Sequence, residues 1–176
     1  VVLAKAGYGR YEISNYAKPG YECRHNIGYW TRENYLGLGL GAASLVDNVR
    51  YSNTRELDEY TAICHDLTIL PPEAFAPEDG MAAPERNWFG SNLHTEASVV
   101  SRKSQMEEFM FLGLRMTDGI ARDEFEHNFG MPIEAAYVQV LPELQAQGLI
   151  EKREGRIYLT DRGMDVANYV MAQFLL

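Results

Sequence analysis

The stretch GLIEKREGRIYLT, residues 148–160, holds two short β-type segments on either side of a turn. Residues 149–153 and 156–160 flank the pair Glu154-Gly155, and glycine is favoured where a tight turn needs a positive φ. The stretch therefore predicts a β-hairpin.

Helices are predicted on both sides of this hairpin. One includes residues 109–116, a second covers 121–128 and a third covers 133–147, where Pro142 predicts a kink or a break because an unkinked interior would cost about 3 kcal/mol. A fourth starts at Thr160 or Asp161. The order helix, helix, helix, hairpin, helix is typical of a winged-helix domain.

The third predicted helix is poorly suited to DNA. It has no Lys or Arg between Glu134 and Gly148, although cations supply most contacts to phosphates and a recognition helix needs side chains that reach base edges. Residues 61–176 carry 9 Lys and Arg against 18 Asp and Glu, and so hold the whole net charge of −9. We expect no nucleic-acid partner, and a packing or docking role for this domain.

The composition indicates a globular cytoplasmic protein. The chain of 176 residues is 46% hydrophobic, has no apolar run long enough to cross a membrane, and has two cysteines, too few for a disulfide framework or a metal set. Peripheral membrane attachment is left open.

The first residues resemble the end of a helix and lack an initiator Met, so we expect them to continue a fold that begins upstream.

The chain divides into three regions that differ in composition and predicted secondary structure. In residues 1–69 the sequence predicts strands at 10–14, 35–43 and 48–52, joined by long loops, and then a helix over 54–69. Residues 70–104 hold four of the seven prolines, which predicts an extended linker or insertion. Residues 105–176 are predicted to form the winged helix.

The first long loop concentrates groups that carry chemistry. Cys23, Arg24, His25, Tyr29 and Trp30 offer a thiol, a guanidinium, an imidazole and two aromatic walls. His25 is a candidate axial ligand of heme iron, with a basic side chain to pair a propionate. The alternative is a loop histidine whose imidazole hydrogen-bonds a backbone carbonyl.

Small residues follow in Gly37-Leu38-Gly39-Leu40-Gly41-Ala42-Ala43-Ser44. The segment matches a nucleotide-binding glycine pattern only loosely, but small residues at a strand end allow a flat ligand or a neighbouring backbone to approach closely.

Together, the segments YEISNYAKPG (11–20), HNxxYW (25–30) and YLGLGLGAAS (35–44) resemble the radical S-adenosylmethionine family of oxygen-independent coproporphyrinogen III oxidase, in its heme-chaperone branch. The segments FLGLRM (111–116) and LTDRG (159–163) resemble that family's C-terminal domain. The resemblance implies an α+β chain: the last strands of a partial radical-SAM (β/α) barrel, followed by a winged-helix-like domain.

The resemblance also implies the site. His25 would be the ligand of heme iron, Asn26 and Tyr29 would lie in the same loop, and Ala42 and Ala43 would contact the adenosine of S-adenosylmethionine. The family's CxxxCxxC motif, which binds a [4Fe-4S] cluster, is absent, so S-adenosylmethionine and the cluster are expected only in a longer protein. No catalytic residue is assigned to this chain, which is predicted to be inactive alone.

The sequence leaves three functions open. The first is the C-terminal part of a heme chaperone that binds heme and delivers it to acceptor proteins, with the N-terminal barrel portion as a further partner. The second is part of an oxygen-independent coproporphyrinogen III oxidase, which catalyses an oxidative decarboxylation in porphyrin biosynthesis. The third is a non-catalytic winged-helix docking module.

Overall fold

The computed structural model describes residues 2–66 and 93–176. The first range contains α1 (Val2–Lys5), β1 (Gly9–Arg10), β2 (Tyr16–Ala17), α2 (Arg24–Trp30), β3 (Ala43–Val46), β4 (Val49–Asn53) and α3 (Leu57–Asp66). The second contains β5 (His94–Val99), α4 (Arg102–Gly113), β6 (Ile120–Ala121), α5 (Arg122–Phe129), α6 (Ile133–Ala136), α7 (Val140–Ala146), β7 (Ile150–Arg153), β8 (Arg156–Leu159), α8 (Asp161–Asp165) and α9 (Ala167–Ala172). The α+β class is thus confirmed, and the described strands form no closed barrel.

The contacts divide the chain into two compact units. One joins the residues up to Glu33 with Arg102–Leu176, and the other is Asn34–Ser101. This grouping differs from the division predicted at residues 69 and 104, which stays a prediction. It assigns α2 and the C-terminal helices to the same unit.

The predicted hairpin is present in the first unit. Strands β7 and β8 pair antiparallel with Ile150 opposite Leu159, and β6 pairs with the other edge of β8, giving the order β6-β8-β7. Glu154 and Gly155 both have positive φ, 52° and 75°, as the tight turn that matches strand twist requires.

The helices of this unit enclose one apolar core. Phe125, Tyr137 and Phe174 are almost completely buried in it, together with apolar residues of the sheet. The predicted third helix is broken between α6 and α7, so that Pro142 falls in the first turn of α7, where its missing N–H costs no hydrogen bond. The hydroxyl of Thr160 caps α8 by accepting a hydrogen bond from the Gly163 N–H.

Strands β3, β4 and β5 form the antiparallel sheet of the second unit. In the described part of the segment predicted as an extended linker or insertion, residues 93–104, β5 pairs with β4 and α4 starts at Arg102. Residues 67–92, which include the end of the predicted helix over 54–69, lie outside the described residues.

Two predictions near the candidate site are wrong. The long loop after Ala17 contains the helix α2, which side-chain contacts to Tyr11 and Arg115 hold in place. Residues 36–42 form a loop rather than the middle of the strand predicted over 35–43, because Gly39 and Gly41 adopt positive φ values of 102° and 67° that a strand does not allow. The strand begins only at Ala43.

Candidate functional site

The sequence HNxxYW lies on the helix α2 and divides between two of its faces. His25 and Tyr29 are four residues apart, and so are Asn26 and Trp30, which is the spacing of neighbours on one helix face. His25 and Tyr29 are exposed, whereas Asn26 and Trp30 are partly buried. The motif therefore consists of an exposed pair and an inward-facing pair.

The exposed pair forms an aromatic contact. The imidazole of His25 and the phenol ring of Tyr29 have centroids 4.7 Å apart at an interplanar angle of 73°, an edge-to-face arrangement. Arg24 is exposed in the first turn of the same helix. An accessible imidazole beside an aromatic ring and a cation fits the chemistry of a heme ligand with a nearby propionate partner.

The inward-facing pair attaches α2 to the rest of its unit. The Asn26 side-chain amide donates a hydrogen bond to the Tyr11 hydroxyl at 3.3 Å. The indole ring of Trp30 stacks on the guanidinium of Arg115, whose central carbon is 4.1 Å from the ring centroid. Arg115 in turn donates from Nη2 to the carboxylate of Glu12 at 3.1 Å.

A second ion pair fixes the C-terminal end of α2. Arg32 has φ 57°, a left-handed conformation that is uncommon for a residue with a side chain. Its Nε donates to Oε2 of Glu108 on α4 at 2.8 Å, and both side chains are about nine-tenths buried. Arg32 is therefore committed to Glu108, which leaves Arg24 as the cation of this helix for an anionic ligand.

The described residues do not contain the ligands of an iron-sulfur cluster. No group of three His, Cys, Asp or Glu side chains with metal-binding geometry occurs among them. Cys23 precedes α2 and Cys64 lies in α3, and both are exposed free thiols. Two thiols in separate parts of the chain do not fit a [4Fe-4S] cluster.

The glycine-rich segment lies in the other unit, where Asn53 fixes its backbone. The buried Asn53 side-chain amide donates to the carbonyl oxygens of Gly37 and Gly39 at 3.2 and 2.7 Å, and its backbone N–H donates to the Ala42 carbonyl at 2.9 Å. Ala42 is partly exposed and Ala43 is exposed. A side chain at Gly37 would start 2.2 Å from the Ala43 carbonyl oxygen, so only glycine fits there.

His94 orients Asn53. Because the Asn53 amide nitrogen donates to the two glycine carbonyls, its oxygen Oδ1 faces Nδ1 of His94 at 3.0 Å, and this assigns the proton to Nδ1. The His94 ring also packs edge-to-face on Tyr51. Burial lowers the pKa of His94 from its usual value of 6.5.

The hairpin of β7 and β8 is the wing of the predicted winged helix, and its cations have partners within the domain. Lys152 and Arg122 both pair with Glu134, at 3.0 and 2.8 Å. Burial is the largest single effect on the pKa of the Glu134 carboxyl and raises it, but the contacts with these cations together bring the pKa below its usual value. Arg153 lies over the ring of Tyr158. The wing cations are thus engaged with neighbouring groups of the same chain.

The structure brings some predicted site residues together and not others. His25, Asn26 and Tyr29 share α2, whereas Ala42 and Ala43 belong to the second unit. Sequence reasoning missed the groups that hold these segments: Glu12, Glu108, Arg115, Asn53 and His94. No spacing pattern marks them, because each acts across a long sequence separation.

The family described as HemN C-terminal domain matches residues 100–166. Among solved structures, the radical SAM enzyme coproporphyrinogen III oxidase (HemN) from Escherichia coli superposes with a TM-score of 0.64 at 16% identity, over 99% of this chain and 38% of that one. At this identity the likeness shows the shared fold.

The curated relatives refine that class. The chain is 56% identical to heme chaperone HemW from Escherichia coli and 37% identical to heme chaperone HemW from Lactococcus lactis, in each case over 99% of this chain. The chain spans about 40% of the length of these relatives. The chain belongs to the HemN/HemW family, and its residues 100–166 include the HemN C-terminal domain.

Among the described residues, no helix is both long and apolar enough to cross a membrane.

Proposed function

We propose that this chain is the part of a heme chaperone that holds heme through His25, before delivery to acceptor proteins. The observation that carries the proposal is the division of the HNxxYW helix. His25 and Tyr29 are presented on its exposed face, while Asn26 and Trp30 attach the opposite face to the protein.

The chemistry of the exposed face supports this role. A neutral imidazole is a common axial ligand of heme iron, and an aromatic ring beside it can pack on the porphyrin. Arg24 is one position before His25 and offers a guanidinium to a propionate. As relatives of the chain are named heme chaperones, heme is the ligand that best fits this arrangement.

The rest of the proposal follows the family. Ala42 and Ala43 would contact the adenosine of S-adenosylmethionine in a longer protein that also supplies the [4Fe-4S] ligands and the remainder of the barrel. The winged-helix domain would contact protein rather than nucleic acid, because its cations pair internally and α7 has none. A cytoplasmic location is part of the same proposal.

A hemin titration followed at the Soret band tests the proposal. His25→Ala should lower hemin affinity by about tenfold or more, since it removes the axial ligand. His127→Ala is the matched control, because His127 is also an exposed helical histidine but lies in α5, far along the chain. Equal affinities for wild type and His25→Ala would contradict the proposal.

A further inference from the structure

We infer that Arg115, in the C-terminal domain, is the positioning residue that holds the heme-ligating helix α2 in place. The inference deepens the proposed function and rests on it. It assigns the HemN C-terminal domain a role as the support against which the ligand His25 is oriented.

The contact between Arg115 and α2 is made through the face of an aromatic ring. The Arg115 guanidinium lies 4.1 Å from the centroid of the Trp30 ring. Neither Trp30 Nε1 nor Arg115 Nε, both buried, makes a hydrogen bond to any residue that the structure describes. The stack of a cation on the indole, rather than a hydrogen bond, therefore sets where Trp30 lies.

Arg115 is itself fixed on its other side. Oε2 of the fully buried Glu12 accepts from Arg115 Nη2, and Oε1 of the same carboxylate accepts from the Ser14 N–H at 2.8 Å. The Arg115 carbonyl also accepts from the Ile13 N–H at 3.0 Å. The buried Glu12 carboxylate thus fixes the position of the Arg115 guanidinium, and the guanidinium in turn fixes the position of the Trp30 ring.

The orientation of His25 follows from these contacts. Trp30 is five residues after His25 and lies toward the opposite side of the helix, so a fixed Trp30 fixes the face on which His25 stands. The pair Arg32–Glu108 holds the end of α2 to the same helix α4 that leads into Arg115. Two attachments prevent the helix from rotating about its axis.

The variant Arg115→Lys separates positioning from folding. Lysine keeps the positive charge beside Glu12, so the buried carboxylate retains its partner, but it lacks the planar group that stacks on Trp30. We expect an intact fold by far-UV circular dichroism and a hemin affinity about tenfold weaker. Arg153→Lys is the matched control, since Arg153 also lies over an aromatic ring, that of Tyr158, and should leave hemin affinity unchanged.

A second pair of variants tests the same contact from its other side. Trp30→Leu removes the ring and leaves the Arg115–Glu12 pair intact, so it should weaken hemin binding like Arg115→Lys. Trp30→Phe keeps an aromatic face, so its hemin affinity should stay within about twofold of wild type. If Arg115→Lys does not fold, the hemin affinities of Trp30→Leu and Trp30→Phe test the positioning role of the stack instead.

A readout without heme comes from Trp30 fluorescence. The chain has two tryptophans, so a Trp88→Phe background isolates Trp30. In that background, Arg115→Lys should increase acrylamide quenching of Trp30 because the ring loses its cover, and Arg153→Lys should not. Unchanged quenching in Arg115→Lys would overturn the inference.

A double-mutant cycle separates the inference from the proposed function. If Arg115 acts through His25, Arg115→Lys should cause no further loss in a His25→Ala chain. A tenfold loss in both backgrounds, or no loss in the wild-type background, overturns the positioning role alone. A wild-type chain that binds no hemin, or binds it equally well without His25, overturns the proposed function and the inference together.

Discussion

Arg115 Nη2 lies 3.1 Å from Oε2 of Glu12, a residue that is fully buried and 103 positions away in sequence. The pair ties the segment before α2 to the C-terminal domain, and the backbones of the two segments are also hydrogen-bonded, from Thr117 N–H to the Tyr11 carbonyl at 3.1 Å. This link explains why residues near the start of the chain form one compact unit with its end.

Glu12→Gln should destabilise this unit by about 3 kcal/mol, because it leaves the Arg115 charge without its counter-charge in a largely buried place. Urea unfolding followed by circular dichroism measures the change. Glu151→Gln is the control: its partner Arg153 is exposed and 3.8 Å away, so the cost should be about 0.5 kcal/mol or less. Equal costs for the two variants would contradict the importance of the Glu12–Arg115 pair.

Tyr137→Phe should leave stability unchanged or raise it by up to about 1 kcal/mol. The Tyr137 hydroxyl is buried and makes no hydrogen bond within the described part of the chain, and burial, with the negative charge of Glu107, raises its pKa far above the usual value. The measurement is the urea midpoint, with Tyr169→Phe, half-exposed on α9, as a neutral reference. A loss above about 1 kcal/mol would reveal a hydrogen bond from this hydroxyl.

Gly119→Ala should be far more costly than Gly148→Ala. Both glycines have positive φ, 63° and 68°, so both variants carry about the same backbone penalty of roughly 1 kcal/mol. A Cβ at residue 119 would also lie 2.2 Å from the Ile157 carbonyl oxygen, whereas one at residue 148 meets open space. The thermal midpoints should differ by several degrees, and indistinguishable midpoints would show that β8 can move away.

Lowering the pH should selectively weaken the unit that contains His94. Because burial lowers the pKa of His94 below 6.5, the unfolded chain binds a proton more readily at this site; stability is complete above about pH 6.5 and falls as the pH drops toward the folded-state pKa. His94→Gln should flatten the dependence of the thermal midpoint on pH between 8 and 5.5, while His127→Gln retains the wild-type slope. A wild-type slope in His94→Gln would contradict this assignment.

Local patterns predict much of the fold of residues 105–176, because its turns and caps are encoded by neighbouring residues. Glu154-Gly155 predicted the hairpin, and Pro142 predicted the interruption of the third helix. These features depend on φ preferences and missing N–H groups, which a sequence shows directly.

The supports of the candidate site could not be predicted in the same way. The position of the helix α2 depends on the contact between Trp30 and Arg115. The glycine-rich loop depends on Asn53, whose amide binds backbone carbonyls that would pair with a neighbouring strand if this segment were itself a strand. Both arrangements form only when distant segments meet, so the sequence alone predicts a loop where α2 lies and a strand where residues 36–42 form a loop. The motif itself placed His25 and Tyr29 together, and whether they bind heme stays a prediction.

The most direct test of the central claim is the absorption and electron paramagnetic resonance spectrum of the hemin complex of His25→Cys. If His25 ligates the iron, the substitution replaces an imidazole with a thiolate, and both spectra should change to those of a thiolate-ligated heme. A hemin complex of His25→Cys with the wild-type spectra would contradict the claim that His25 is the ligand.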